Sequence, residues 1–168
     1  PRPIVRQRPH LALDAIMFTG LIEEVGTITS LTPLPDGLRL VVGCEKVRDD
    51  LKRGDSIAVD GCCLTVEQIN GGEFQLYASK ETLAKTSLGE RSQVDAVNLE
   101  RCITMHTRLG GHMVSGHVDA CGTFLSSTIH GDSREIRIGA PREILDQCIP
   151  KGSIAVDGIS LTIVDLTA

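Results

Sequence analysis

The chain has 168 residues, of which 41% are hydrophobic and 23% charged, a balance typical of a globular protein with an apolar core. No apolar run approaches the roughly 20 residues that a membrane-spanning helix needs, so we predict no membrane span. A net charge of −5 and few aromatic residues, with one Tyr, three Phe and no Trp, argue against a nucleic-acid partner.

Residues 1–16 differ in composition from the rest of the chain. They carry three arginines, three prolines and a single acid, and they contain no apolar core of a secretory signal. We predict a disordered extension, or a remnant of expression, before a natural start at Met17. A shortened organellar transit peptide is the alternative.

From residue 17 onward the pattern is mainly that of short β-strands separated by turns. β-Branched and alternating apolar residues predict strands at residues 25–32, 38–42, 56–59, 62–69 and 73–78. Pro, Asp, Asn and Gly predict turns at residues 35–37, 60–61 and 70–72. Residues 45–51 and 81–84 each predict a turn or two of helix. So many short strands in about ninety residues favour a small closed barrel.

The sequence contains an internal repeat. Residues 17–23 (MFTGLIE) reappear as 113–119 (MVSGHVD), and residues 56–61 (SIAVDG) reappear unchanged as 153–158 at nearly the same offset. A period this long predicts a duplicated domain, with a first copy at residues 17–112 and a second at 113–168. Because the second copy lacks counterparts of residues 72–101, we predict an incomplete second barrel. Unpaired strand edges are a liability, so we expect the native protein to continue beyond Ala168.

Six cysteines are scattered along the chain, and only Cys62 and Cys63 are adjacent. None shows the Cys-x-x-Cys spacing of structural zinc sites, so we predict no metal site. Free Cys packs as a small hydrophobic residue, and we therefore predict free, mostly buried thiols in a reducing, cytoplasmic compartment.

Five motifs in the right order and spacing resemble the riboflavin synthase family. They are Met17-Phe18-Thr19-Gly20, Asp60-Gly61-Cys62-Cys63-Leu64-Thr65, Lys80-Glu81-Thr82-Leu83, residues 110–119 (GGHMVSGHVD) and residues 157–162 (DGISLT). The resemblance covers residues 17–168, which is nearly everything after the extension.

The resemblance implies an all-β fold of two similar six-stranded Greek-key barrels in tandem. Each barrel would bind one 6,7-dimethyl-8-ribityllumazine, and transfer of a four-carbon unit between the two would give riboflavin and a ribitylamino-pyrimidinedione. No metal or redox cofactor is implied. Family members are homotrimers held by a C-terminal helix that has no counterpart in this sequence. The implied location is cytoplasmic, or a plastid in a plant.

The same resemblance assigns candidate site residues. The catalytic candidates are Cys63, His117, Ser160 and Thr162. The substrate-binding candidates are Thr19, Gly20, Ile22, Ser56, Cys62, Thr65, Ala78, Glu81, Thr82 and Val118. Each also has a structural interpretation, because small polar residues are common in strands and turns and a lone His is often structural.

Two of these candidates carry a further argument from the residues. Cys63 corresponds to Ser160 in the repeat, so equivalent positions carry different polar groups, as suits one ligand used in two roles. His117 and Asp119 would share one strand face. An imidazole that titrates near neutral pH suits a proton shuttle at the lumazine methyl group, so His117 is the candidate general acid or base.

Two other functions remain as alternatives. A lumazine- or flavin-binding protein of the same fold would bind the ligand without turnover, and retention of the four catalytic candidates favours the enzyme. A barrel like those of translation factors would need a basic surface, which the net charge of −5 argues against.

Overall fold

The computed structural model describes residues 17–167 as an almost entirely β protein. The first copy contains strands β1 (Glu24–Leu34), β2 (Gly37–Gly43), β3 (Ser56–Val59), β4 (Cys62–Asn70), β5 (Glu73–Ser79) and β6 (Ala96–Arg101), with helix α1 (Lys80–Lys85) and two 3₁₀ turns (Val47–Asp49 and Ser87–Glu90). The second copy contains β7 (Thr123–His130), β8 (Ser133–Gly139), helix α2 (Arg142–Leu145), β9 (Ser153–Val156) and β10 (Ile159–Thr162). Among the described residues, no helix is both long and apolar enough to cross a membrane.

The first copy closes into a six-stranded antiparallel barrel. The strand order around it is β1-β2-β5-β4-β3-β6, a Greek-key order in which β5 returns to lie beside β2. Alternation along each strand sends one side chain in two to the interior. The interior residues, all at most 9% exposed, include Ile28, Leu40, Val42, Ile57, Val59, Leu64, Val66, Phe74, Leu76, Val97 and Leu99. The predicted first barrel is confirmed.

The second copy forms two separate hairpins, β7-β8 and β9-β10, which correspond to β1-β2 and β3-β4. In the first copy β5 joins β2 to β4 and β6 joins β3 to β1. The described residues contain no counterpart of these two joining strands, so the second barrel is incomplete, as the sequence predicted. Phe124 and Ile129 in β7 are consequently exposed although they are apolar.

The Asp-Gly turns predicted in both copies have the same backbone conformation. Asp60 and Gly61 have φ values of 48° and 78°, and Asp157 and Gly158 have 46° and 80°. Two consecutive residues with positive φ are typical of the type I′ turn that joins two right-twisted strands. Each turn forms the tip of one hairpin, β3-β4 or β9-β10.

The segments that open the two copies pair with each other. We call residues 17–22 the first leading segment and residues 113–118 the second. Phe18 N–H donates to the Val114 carbonyl at 2.8 Å, and Val114 N–H donates back to Phe18 at 3.0 Å. Since Phe18 and Val114 are equivalent in the repeat, the two copies meet about an approximate twofold axis.

The structure departs from the sequence analysis in three places. Residues 45–51 contain only the three-residue 3₁₀ turn, because Glu24 binds the N–H groups of residues 45–47 from outside and fixes this loop. Strand β6 was not predicted. His117 and Asp119 do not lie in a strand, so the prediction that they share a strand face is wrong. The predicted extension at residues 1–16 lies outside the described residues.

Candidate functional site

The outer face of the barrel over β3, β4 and β6 carries three of the candidate polar residues, Ser56, Cys63 and Thr65. Ala58 pairs with Cys63 on one side and with Glu100 on the other, and Ser56 pairs with Thr65. Partners in register point to the same side of the sheet. The alternation that places Ile57 and Val59 inside the barrel therefore brings these five side chains together on its outside.

The second leading segment covers this face beside Cys63. Cys63 N–H donates to the Gly116 carbonyl at 2.9 Å. A Cβ on Gly116 would lie 2.6 Å from Cys63 Cβ, so only glycine allows this approach. Two residues further on, Val118 packs against the interior cluster of the barrel. We call Cys63, Gly116 and Val118, with the exposed His117 between them, the first half-site.

The first leading segment covers the second copy in the same way. Ser160 N–H donates to the Gly20 carbonyl at 2.8 Å, and a Cβ on Gly20 would lie 2.7 Å from Ser160 Cβ. Ile22 reaches the Asp-Gly turn, with its Cδ1 3.2 Å from the place of a Cβ on Gly158. His112 Nδ1 lies 2.8 Å from Ser160 Oγ. We call Ser160, Gly20, Ile22 and His112 the second half-site.

The two half-sites are equivalent in the repeat. Cys63 corresponds to Ser160 and Gly116 to Gly20, so the hydrogen bond that joins each pair occurs twice. Each leading segment thus covers the copy to which it does not belong. These contacts, together with the touching Asp-Gly turns at Gly61 and Gly158, make up what we call the inter-copy interface.

The two adjacent thiols are both less acidic than a free cysteine. Burial raises the pKa of Cys62 to about 11, and the neighbouring Cys63 and Asp60 add to the rise. Burial also raises the pKa of Cys63, although a hydrogen bond with the Ser56 side chain works in the opposite direction. Cys62 points into the barrel and Cys63 out of it. At neutral pH both side chains are therefore thiols, which are much weaker nucleophiles than thiolates.

The remaining candidates are distributed over the barrel. Thr65 is exposed on β4 and lines a cleft of about 550 Å³, and Thr162, its counterpart in the repeat, is exposed at the end of β10. Ala78 is buried on β5. Glu81 and Thr82 lie in the first turn of α1, where Thr82 Oγ1 is 3.1 Å from the Ser79 hydroxyl.

Thr19, a predicted substrate-binding residue, is buried and bonded to Glu100. It is only 3% exposed, and its hydroxyl and its N–H both lie 2.6 Å from Glu100 Oε1. Thr19 and Glu100 line the wall of a cleft of about 630 Å³, together with Ser56. The Thr19 hydroxyl is therefore held by the protein itself.

Beside this cleft, Arg101 forms an ion-pair cluster with Glu23 and Asp50. Burial alone would raise the pKa of Glu23, but its hydrogen bonds and ion pair with Arg101 outweigh burial and lower it. Sequence reasoning missed Glu100, Arg101 and the contact of His112 with Ser160. Only the alternation in Ala96–Arg101 could have indicated that Glu100 and Asn98 share one face of a strand.

Comparison with known proteins agrees with this architecture. The family model described as "Lumazine binding domain" matches the chain twice, at residues 19–102 and 115–168. The two matches begin at corresponding points of the two copies. Two solved structures of LumP, one complexed with 6,7-dimethyl-8-(1'-D-ribityl) lumazine and one with riboflavin, are each 22% identical to the chain. Their TM-scores are 0.80 and 0.83, each covers 89% of the chain, and the chain covers 81% and 82% of them, so the fold is shared.

Curated relatives give a closer match. The riboflavin synthase of Actinobacillus pleuropneumoniae is 43% identical over 149 residues, which are 89% of this chain and 69% of that protein. The riboflavin synthase of Bacillus subtilis is 42% identical over 153 residues, 90% of this chain and 70% of that protein. With the double match to the lumazine-binding model, these identities show that the chain belongs to the riboflavin synthase family of lumazine-binding proteins.

Proposed function

We propose that the chain catalyses the riboflavin synthase reaction, in which one 6,7-dimethyl-8-ribityllumazine transfers a four-carbon unit to another. The products are riboflavin and 5-amino-6-ribitylamino-pyrimidinedione. The observation that carries the proposal is the pair of equivalent half-sites, in which Cys63 and Ser160 take the same place beside Gly116 and Gly20. A reaction between two copies of one molecule needs two similar pockets. The pockets also need different side chains, because one lumazine donates the four-carbon unit and the other accepts it.

The main contribution of such a protein is positioning. Holding two reactants in a productive arrangement replaces a chance encounter by an intramolecular step, and this alone can supply about 7–11 kcal/mol. The substrate-binding candidates around each half-site would hold the flat ring and the ribityl chain. Because each half-site takes one part from each copy, the inter-copy interface fixes both half-sites at once.

In the second half-site, His112 gives Ser160 a basic partner. With the ring tautomer that leaves Nδ1 unprotonated, the imidazole accepts the Ser160 hydroxyl proton over the observed 2.8 Å. A hydroxyl with an adjacent base is an activated nucleophile or proton donor. We assign Ser160 this role at the bound lumazine ring, with Thr162 as a further hydroxyl contact on the same hairpin.

In the first half-site the thiol and the imidazole have different roles. The raised pKa of Cys63 favours a neutral thiol that contacts the ring over an attacking thiolate. His117 is exposed. Its backbone N–H donates to the Ser115 hydroxyl at 3.3 Å, which fixes the backbone while the imidazole ring stays accessible. We assign His117 the proton transfer at the lumazine methyl group.

The proposal is tested by incubating the purified chain with 6,7-dimethyl-8-ribityllumazine, without added cofactor, while the absorbance of riboflavin is followed. We expect one riboflavin for every two lumazines consumed. The alternative function, a lumazine-binding protein without turnover, would give tight binding and no riboflavin. Absence of both binding and turnover would contradict both functions.

Assembly and location complete the proposal. A homotrimer is the assembly that the family resemblance implies, and the molar mass by light scattering tests it directly. A cytoplasmic location is supported by the cysteines, because all six lie in the described residues and are free thiols. Lumazine and riboflavin are the proposed partners, and no step is assigned to a metal or redox cofactor.

A further inference from the structure

Glu100 on β6 is a buried carboxylate whose hydrogen bonds all go to one turn. Its side chain belongs to a residue only 4% exposed. Oε1 accepts the N–H and the hydroxyl of Thr19, both at 2.6 Å, and Oε2 accepts the N–H of Gly20 at 3.0 Å. A buried charged group is costly unless it is well hydrogen-bonded, so this arrangement is specific.

The turn that Glu100 holds is the one on which the second half-site is built. The Thr19 carbonyl accepts His112 N–H at 3.0 Å, and the Gly20 carbonyl accepts Ser160 N–H at 2.8 Å. Two successive carbonyls therefore fix the backbones of the two residues whose side chains meet at 2.8 Å. A movement of the turn by a fraction of an ångström would change the distance between the imidazole and the hydroxyl.

We infer that Glu100 is a positioning residue for the second half-site: its carboxylate fixes the turn at Thr19 and Gly20, and the turn sets the geometry of His112 and Ser160. The role of Ser160 in catalysis belongs to the proposed function, on which this inference rests. Glu100 acts through the turn, and none of its observed bonds goes to His112 or Ser160.

The geometry requires a carboxylate and not an amide. Both oxygens of Glu100 accept from N–H groups, so an amide NH₂ in either place would face a donor. Glu100→Gln therefore loses at least one bond to the turn and leaves a buried N–H without a partner. Leaving a buried polar group unpaired typically changes an equilibrium by about tenfold to a hundredfold.

The test compares Glu100→Gln with the matched control Glu24→Gln. The Glu24 carboxylate likewise accepts three hydrogen bonds, in its case from the backbone N–H groups of residues 45–47, but it holds a different loop. For Glu100→Gln we expect exchange of the His112 and Ser160 amide hydrogens to accelerate about tenfold or more, while amides of the barrel interior keep their protection. The control should leave the exchange of both amides unchanged.

Kinetics supplies a second readout that a purely structural role would not move. For Glu100→Gln we expect kcat for riboflavin formation to fall about tenfold or more, with riboflavin affinity within about twofold of the parent chain, since the first half-site is intact. A kcat equal to that of Glu24→Gln, or unchanged exchange at Ser160, would overturn the inference.

The exchange measurement needs no substrate, so it decides the inference even if the unsubstituted chain forms no riboflavin, which would be a failure of the proposed function alone. If Glu100→Gln does not fold, Thr19→Val is the second variant. It removes the hydroxyl donor and leaves Glu100 in place, and we expect faster exchange at the same two amides. Unchanged exchange in that variant would contradict the role of the turn.

Discussion

Substitution of Gly61 by alanine tests the inter-copy interface directly. Gly61 has a φ of 78°, and an added Cβ would lie 2.7 Å from the backbone N of Gly158 in the other copy. The reverse is also true, because a Cβ on Gly158 would lie 2.8 Å from the N of Gly61. In both cases the added Cβ meets a backbone atom of a tight turn, so the overlap cannot be relieved by rotating a side chain.

The expected loss of free energy of folding in Gly61→Ala has two parts, which a control variant can separate. A non-glycine residue at positive φ costs roughly 1–2 kcal/mol wherever it occurs. The overlap between the turns adds about 1–3 kcal/mol, as overpacking does in a close-packed interior. Gly71 has a φ of 62° with nothing within 4 Å, so Gly71→Ala carries only the first part.

Amide hydrogen exchange is the suitable assay, because the interface contains two hydrogen bonds that report on it. These are the bonds of Cys63 N–H to Gly116 and of Ser160 N–H to Gly20. If the overlap between the turns destabilises the interface by about 1–3 kcal/mol, these amide hydrogens should exchange faster by roughly fivefold to a hundredfold or more. We expect both amides to respond in Gly61→Ala. Equal exchange in Gly61→Ala and Gly71→Ala would refute the interface.

Four further predictions concern the half-sites. Cys63→Ser should lower riboflavin formation more than Cys62→Ser, because Cys63 points outward beside Gly116; equal losses would remove its special role. Since burial raises the pKa of Cys63, the fraction of thiolate at neutral pH is lower than for a free cysteine, and alkylation by iodoacetamide should accelerate as the pH rises above 9, the ordinary thiol value. His117→Gln should lower kcat with lumazine affinity retained, and an unchanged rate would make His117 structural. Residues 17–112 should fold alone but bind riboflavin more weakly than residues 17–119, which include the covering segment; titration by fluorescence quenching compares them, and equal affinities would contradict the covering role.

Most of the barrel could be predicted from the sequence because its strands combine alternation with clear turn residues. The Asp60-Gly61 and Asp157-Gly158 turns fix the registers of two hairpins, and the structure has them with the expected backbone conformation. Strand β6 was missed for a physical reason. Its polar residues bind distant partners, Asn98 the carbonyl of Asp157 and Glu100 the turn at Thr19, so local alternation gives no sign of why they are there.

The arrangement of the leading segments could not be predicted from the repeat. A repeat states which residues are equivalent, but each leading segment could pack on its own copy or on the other without any change in the pattern. The copy that each leading segment covers is determined by close contacts between residues far apart in sequence, such as Gly116 on Cys63 and Gly20 on Ser160. These glycines have a φ of 74° and 76°, values that the sequence alone does not reveal.

Side-chain differences between the two equivalent half-sites explain how one ligand can have two roles. The backbone around Cys63 and Ser160 is equivalent, so a difference between the half-sites has to come from side chains. Ser160 has the imidazole of His112 at its hydroxyl, whereas the residue equivalent to His112 in the sequence repeat is Ile16, whose side chain is aliphatic. One half-site therefore has an imidazole bound to its hydroxyl, and the other has the exposed His117 together with a thiol whose pKa is raised by burial. Duplication supplies two matched pockets, and these two substitutions make their chemistry unequal, as a reaction between identical molecules requires.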